Sequence, residues 1–395
     1  MGSFNAIRPG TDLSQHARNL RRVHHAVIGG GRTAERPRAL VERSWSRVLG
    51  FGLDPDHENR RDPMSWAEVE RRRRESPLSV VIGDLLQVIA SVADASHFLM
   101  VVTDAEGVVL WREGASSVRR RADDLGFSEG VFWTESTVGT NAIGTALVEA
   151  APVELFSAEH FEQAQHGWYC TAYPIHDPRT GEMLGIVDVS GPALTLHPAI
   201  GALVETAVRL AESQLWRHHA ARLERLRRSA EHVVAAHQGP LLVVDDHGWV
   251  AHHAGLAARD RIAVPRAGTA LAVPGLGLCL PERLGEGWIV RPAGRPRGLT
   301  VTLARNASPR LTVQGDGEPW LAPLTPRHAE ILSLLHDAGP AGVSASRLSR
   351  ALYGDDQHVV TVRAEISRLR RAIGALVATN PYRLADGVVL TVEHE

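Results

Sequence analysis

The run Thr361-Val-Arg-Ala-Glu-Ile-Ser-Arg-Leu-Arg-Arg-Ala-Ile-Gly374 leaves this chain little choice of local structure. Val362, Ile366, Leu369 and Ile373 recur at i, i+4, i+7 and i+11, the spacing of one buried helical stripe. At about 100° of rotation per residue, Ala364, Ser367, Arg368 and Arg371 point away from that stripe, and Arg363 and Arg370 flank it. A helix held by one apolar face and cationic elsewhere suits a DNA major groove. It suits a solvated surface equally well, so the neighbouring segments decide between the two.

Those neighbours favour the groove. Leu324-Thr-Pro-Arg-His-Ala-Glu-Ile-Leu-Ser-Leu-Leu335 opens with a Thr N-cap and a Pro at the first helical position, then repeats apolar residues helically. Val343-Ser-Ala-Ser-Arg-Leu-Ser-Arg-Ala-Leu-Tyr-Gly354 follows and ends on a glycine suited to a helix C-cap. With LTPRHAEIL, SRLSRALYG, TVRAEISRLRRAIG and PYRL in this order, Leu324 to Leu384 resembles the winged-helix DNA-binding domain of response regulators of the OmpR/PhoB type. The resemblance implies that Arg363 and Arg368 touch base edges and that Thr361, Ser367 and Arg370 lie near phosphates; Arg371 joins them from the helix geometry. The chain departs from the pattern in its short loop Asp355-Asp-Gln-His-Val-Val360. It also reads Thr379-Asn-Pro-Tyr-Arg383 where such domains carry an Arg-Gly-Val-Gly wing turn, so the resemblance carries no minor-groove contact here.

Composition narrows the alternatives. At 395 residues with 44% hydrophobic content, the chain can bury two or three cores. The sequence contains no lysine, so all 43 basic residues are arginines. That excludes Walker A, protein-kinase and Schiff-base chemistries, each of which needs a lysine amine. No apolar run approaches the roughly 18 residues of a membrane span, and the start has no signal-peptide pattern, so a cytoplasmic protein with no membrane partner is expected. Cys170 and Cys279 give no CxxC or zinc spacing. The net charge of −2 argues neither for nor against nucleic acid.

From Pro77 to Trp216 the pattern is mixed. Pro77–Ala90 is helix-periodic, His97–Trp111 reads as two strands about a turn at Asp104–Gly107, and Trp168–Ile175 and Met183–Ser190 read as strands joined by the turn-rich His176–Gly181. A helix from Pro198 closes this α+β unit. The GTNAIGTAL run, with Thr134-Glu-Ser-Thr before it and Trp168-Tyr-Cys170, Pro174-Ile-His-Asp-Pro178 and Gly185-Ile-Val-Asp-Val-Ser-Gly191 after it, is similar to the GAF sensor region of acetoin-catabolism-type transcriptional activators over about residues 40–235. The resemblance implies a pocket for a small molecule rather than a reaction, and no catalytic residue or cofactor. The family's central sigma-54-contacting ATPase finds no counterpart, so sigma-54-independent action is expected.

Candidate pocket residues are Trp133, Thr140, Asn141, Trp168 and Tyr173. Thr140 and Asn141 serve equally well as caps where the GTNAIG turn enters a helix, and the aromatics equally well as core. Cys170 on a central strand reads as a buried small hydrophobe. His160, His166 and His176 match no usual metal or haem spacing.

Pro198 to about Ala236 has no Gly or Pro after Gly201 and reads as one long helix, with Trp216, Leu223, Leu226, Ala230 and Val233 near heptad spacing for a homodimer. Gly239–Val250 resembles the opening hairpin of a PAS-like module, with turn signals further on, including Pro292-Ala-Gly294. The expected divisions are a loosely structured segment 1–39, a helical extension 40–76, a GAF domain 77–215, a connecting helix 216–237, a PAS-like β-rich unit 238–320 and a winged helix-turn-helix 321–395. The expected function is a one-component transcriptional regulator, not an enzyme, with duplex DNA and a small-molecule ligand as partners and RNA polymerase as a candidate partner. A cofactor-bound redox or gas sensor of GAF fold, and an anti-activator acting by protein contact, stay open as alternatives.

Overall fold

The computed structural model describes residues 5–31, 35–56, 59, 61–87, 97–237, 239–257, 259–292, 299–314, 319–386 and 388–393. The chain divides into two compact units, one of Met1–Asp177 with Met183–Leu215, the other of Pro178–Glu182 with Trp216–Glu395. Both are mixed α/β. Among the described residues no helix is long and apolar enough to cross a membrane.

The first unit is built on an antiparallel sheet of β1 (Leu99–Thr103), β2 (Val109–Gly114), β3 (Val153–Phe156), β4 (Trp168–His176) and β5 (Met183–Pro192), in the order β2-β1-β5-β4-β3. Strand residues alternate faces, and here both faces are covered. On one, Met100, Val102, Tyr169, Tyr173, Ile175, Val187 and Val189 pack with Leu78, Ile200, Val204 and Val208. On the other, Leu99, Val101, Leu155, Trp168, Ala172 and Ile186 pack with Val41, Trp45, Val118, Trp133, Ile143 and Ala146. The expected hairpin across Asp104–Gly107 and the strand pair β4–β5 form as the pattern requires. The last residues of the expected Pro77–Ala90 helix, 88–90, lie outside the described residues.

The amino-terminal segment differs from expectation. Helix α1 (Leu13–Ile28) starts where the Asp12 carboxylate accepts from Gln15 N at 2.9 Å, and it buries Ala17, Val23 and His24. Its arginines are spaced so that one apolar stripe remains, which composition alone conceals. Helices α2 (Ala39–Leu49) and α3 (Trp66–Glu75) follow, then α4 (Ser116–Asp124), α5 (Glu135–Val138) and α6 (Ala142–Glu149).

The long helix is also shorter than its sequence suggests. Helix α7 (Ala199–Ser229) breaks at Ala230 before α8 (Glu231–Ala236). Leu226 and Ala230, expected on a dimer seam, are buried against Leu241, Val243 and Ile289 of the chain's own sheet. That sheet comprises β6 (Leu241–Asp245), β7 (Val250–Ala254), β8 (Leu271–Val273), β9 (Gly277–Leu284) and β10 (Gly287–Pro292), in the order β7-β6-β10-β9-β8.

A second sheet in the same unit, β13-β12-β11-β16, contains β11 (Leu299–Ala304), β12 (Arg310–Gln314), β13 (Trp320–Pro323) and β16 (Val388–Glu393), with β11 and β16 parallel. Val301, Leu303, Leu311, Val313 and Ala322 of this sheet share one core with Ile331, Leu335, Leu348, Val362, Ile366, Leu369 and Ile373. The expected division at 320/321 therefore falls inside a packed core. Strands β11 to β13 belong with the three helices α9 (Pro326–Ala338), α10 (Ala345–Tyr353) and α11 (Val359–Ile373), and with the ribbon β14 (Val377–Ala378) and β15 (Arg383–Leu384). The turn expected at Gly294 lies outside the described residues.

Candidate functional site

In the first unit the alternation of β4 separates the expected pocket residues. Trp168 and Trp133 lie in one core layer, and Tyr173 lies in the other. The five residues therefore do not converge. Trp133 stacks on Phe127 with centroids 4.2 Å apart and carries the Arg61 guanidinium over its ring, while Arg121 lies over Trp168.

The two polar members brace the fold. The Asn141 carbonyl oxygen caps α6 by accepting from Gly144 N at 2.8 Å, and its amide donates to Gly139 O. Thr140, fully buried, shares a 2.7 Å hydrogen bond with Ser44. Ser44 and Thr145 donate to the buried Glu135, which also takes a two-pronged contact from Arg47 at 2.8 Å. This network ties α2 to α5 and α6, so both residues act as structural anchors.

A different polar set sits inside the Trp133–Trp168 layer. Cys170 and Ser190 are cross-strand partners, and Asp188 opposes Ala172 on β4 and Val101 on β1. Ser190 Oγ lies 2.5 Å from Asp188 Oδ2 and 3.0 Å from Cys170 Sγ. Cys170 Sγ lies 3.3 Å from His160 Nε2, and His160 Nδ1 lies 2.9 Å from Ser157 O. One hydroxyl proton cannot serve both Asp188 and Cys170. The chain of bonds closes when Asp188 carries a proton, so that each group donates to the next and His160 donates to Ser157 O.

Burial supports that protonation state. It pushes Asp188 up to about 7, against the hydrogen bond from Ser190. It raises the Cys170 thiol well above its usual range and lowers His160. Cys170 and His160 are therefore a neutral thiol and a neutral imidazole, not the thiolate pair of a nucleophile. Asp188 Oδ1 has no hydrogen-bond partner and is fully buried, the kind of unsatisfied acceptor inside a core that calls for a cause. The sequence signal was available: in Gly185-Ile-Val-Asp-Val-Ser-Gly191 two polar residues at i and i+2 interrupt an otherwise apolar strand.

Among the described residues, His166 and His176 take separate partners. His166 stacks edge-on to His24, and burial lowers it to about 3. His176 lies beside Glu212.

In the second unit α9 begins as its sequence requires, Thr325 Oγ1 accepting from His328 N at 3.1 Å with Pro326 at the first position. Helix α10 ends on Gly354 in the left-handed region. Helix α11 buries the expected stripe of Val362, Ile366, Leu369 and Ile373, and also Ala364 and Arg370.

Of the expected contact residues, Arg363 is exposed and Thr361 half-buried. Arg370 corrects the reading: it turns inward, donating to Val377 O at 3.0 Å and pairing with Asp260 at 2.5 Å, beside a cleft of about 460 Å³ lined by Arg259, Asp260, Arg370 and Val377. The i, i+4, i+7 stripe left it on a flank, and that flank is covered by Val377 and Asp260, which helical periodicity does not reveal. Ser367 accepts from the buried Arg261 through its carbonyl at 3.1 Å. Arg368 pairs with Glu365 at 2.5 Å and donates to Gly181 O at 3.0 Å, and Arg371 pairs with Glu182. Burial opposes ionisation of Glu365, but hydrogen bonds from His328 and Arg368 hold it down at about 2.

The family model described as MimR, N-terminal domain, matches residues 33–213, which span the first unit's sheet and its buried polar row. The chain is 32% identical over 387 residues to the uncharacterized 47.3 kDa protein in the thcA 5′ region of Rhodococcus erythropolis, a match covering 96% of this chain and 72% of that protein. It belongs to the same family as that protein. The acetoin dehydrogenase operon transcriptional activator AcoR of Bacillus subtilis (strain 168) is 31% identical over 181 residues, 46% of this chain and 30% of AcoR. The propane 2-monooxygenase operon transcriptional activator MimR of Mycolicibacterium smegmatis is 29% identical over 176 residues, 44% of this chain and 29% of MimR. The chain thus spans under a third of these two activators. These two and further relatives that match over part of the chain are named as transcriptional activators and regulatory proteins, not as enzymes. Among solved structures, the E. coli DhaR(N)–DhaL complex matches with a TM-score of 0.47 and 16% identity, covering 64% of this chain and 97% of that one.

Proposed function

We propose that this protein is a cytoplasmic, sigma-54-independent transcriptional regulator that senses a small molecule through a GAF-type domain and binds duplex DNA through a winged helix whose recognition helix is α11. The observation that carries the reading is α11 itself: Val362, Ile366, Leu369 and Ile373 are locked in the core while Arg363, Arg368 and Arg371 stay outside it. A major groove reads bases through such a helix, and arginine supplies its commonest specific contact, to guanine.

The sensing half of the reading rests on the β5 polar row. Asp188 Oδ1, buried and without a protein donor, offers a hydrogen-bond acceptor in an apolar layer, the ordinary make-up of a small-molecule site. Trp133 and Trp168 are its proposed walls, and Tyr173, on the opposite face, is not part of it. Helix α7 is the proposed homodimer contact through Trp216, which is 38% exposed, rather than through Leu226 or Ala230. The named relatives, activators of acetoin dehydrogenase and propane 2-monooxygenase operons, favour a small metabolite as the effector.

A mobility-shift titration of the full chain against the DNA upstream of its own gene tests the reading. Arg363→Ala is expected to lose about 1–3 kcal/mol of specific binding. Unchanged affinity and unchanged sequence preference in that variant would remove α11 from the interface.

A further inference from the structure

We infer that the loop Pro178–Glu182 occupies α11 in place of DNA and holds its basic face closed, an inference that rests on α11 being the DNA-reading helix. The loop belongs to the same compact unit as α11. Its contacts fall on Ala364, Ser367, Arg368 and Arg371, the i, i+3, i+4 and i+7 positions of a single helical face. That is the face directed away from the core stripe, the one a groove would have to receive.

The chemistry of the contacts is that of a nucleic-acid backbone. Gly181 O accepts from Arg368 Nη1 at 3.0 Å, and the Glu182 carboxylate pairs with Arg371. A carbonyl and a carboxylate thus stand where phosphate oxygens would.

The approach is close at Gly181. Gly181 has φ +73°, and a Cβ added to it would lie 2.5 Å from Ala364 O and 2.8 Å from Ser367 Cβ. Only glycine both adopts this backbone and permits this approach. The loop is pinned from behind, where Trp249 Nε1 donates to Arg179 O at 3.1 Å, and Thr180 is 2% exposed. On the same helix Arg363 stays exposed, so one cation remains available for first encounter with DNA.

The clasp is also releasable. Side-chain exposure is 37% for Arg371 and 50% for Glu182, so solvent and salt weaken their pairing. Both ends of the loop run into β4 and β5, the strands that carry Cys170 and Asp188. A change in that strand pair has a covalent route to the clasp.

Two loop variants test this in the full-length protein, neither altering a proposed DNA-contacting side chain. Binding is read by anisotropy of a labelled duplex of mixed sequence at low ionic strength, with folding checked by thermal melting. Gly181→Val, which cannot keep the close approach, is expected to bind roughly 5- to 150-fold more tightly, the range of typical linked equilibria. Glu182→Gln, at a half-exposed position that cannot endanger the fold, is expected to gain about 2- to 5-fold. Folded variants with wild-type affinity would overturn the clasp while leaving the DNA reading intact. If the wild type and both variants ignore the duplex, the DNA reading fails and the clasp fails with it.

Discussion

Asp188 carries the sharpest residue-scale expectation. Its unfolded carboxyl titrates near 3.9, and burial raises it to about 7 in the folded chain. Between those values the native state holds a proton that the unfolded state has released. Stability therefore falls as pH rises from about 4 to about 7, and the loss persists above that range. Asp188→Asn cannot ionise, so its melting temperature is expected to lose this segment of pH dependence, a difference on the order of a few kcal/mol between the ends of the window. Parallel melting curves for the two proteins from pH 4 to pH 8 would show that Asp188 is ionised throughout. The residue was legible only as an interruption of an apolar strand. Its isolation depends on Val101, Ala172 and the layer of α6, none of which is near it in sequence.

At the scale of the element, helix α11 is fixed at its end as firmly as along its stripe. Gly374 closes it at φ +55°, and a Cβ there would lie 2.0 Å from Ala263 N and 2.1 Å from Ile262 C. Gly374→Ala is expected to cost about 3 kcal/mol or more in chemical denaturation, since backbone strain and a backbone clash coincide. A loss under about 1 kcal/mol would mean that the Ile262–Ala263 backbone yields easily there. The start of α9, the C-cap of α10 and the stripe of α11 were all legible, because caps and 3.6-residue periodicity are local. Arg370 and Ala364 were not, because what buries them comes from elsewhere in the chain. The same distinction explains α1: its apolar stripe is local and readable, and an arginine-rich composition hid it. It explains the break at Ala230 too, where packing on β6 and β10 ends a helix that propensity would have continued.

For the whole molecule, a net charge of −2 means that DNA affinity must come from a local cationic face and should be strongly salt-dependent. If α11 brings Arg363, Arg368 and Arg371 to the duplex, log affinity against log salt is expected to fall with a slope of roughly −3 per helix engaged. A slope near zero in an anisotropy titration would move the interaction off α11. Sequence alone determined the helices of the carboxy-terminal region, the paired strands of the sensor-like region, and the apolar stripe of α11, because each follows from spacing within one element. Tertiary structure alone decided that β11 to β13 share the core of the three helices, that Trp168 and Tyr173 are separated by a sheet, that Asp188 stands buried without a donor, and that Gly181 and Glu182 lie on the arginines of α11. Those outcomes depend on contacts between residues far apart in the chain, and the pattern within a single segment holds no information about what will cover it.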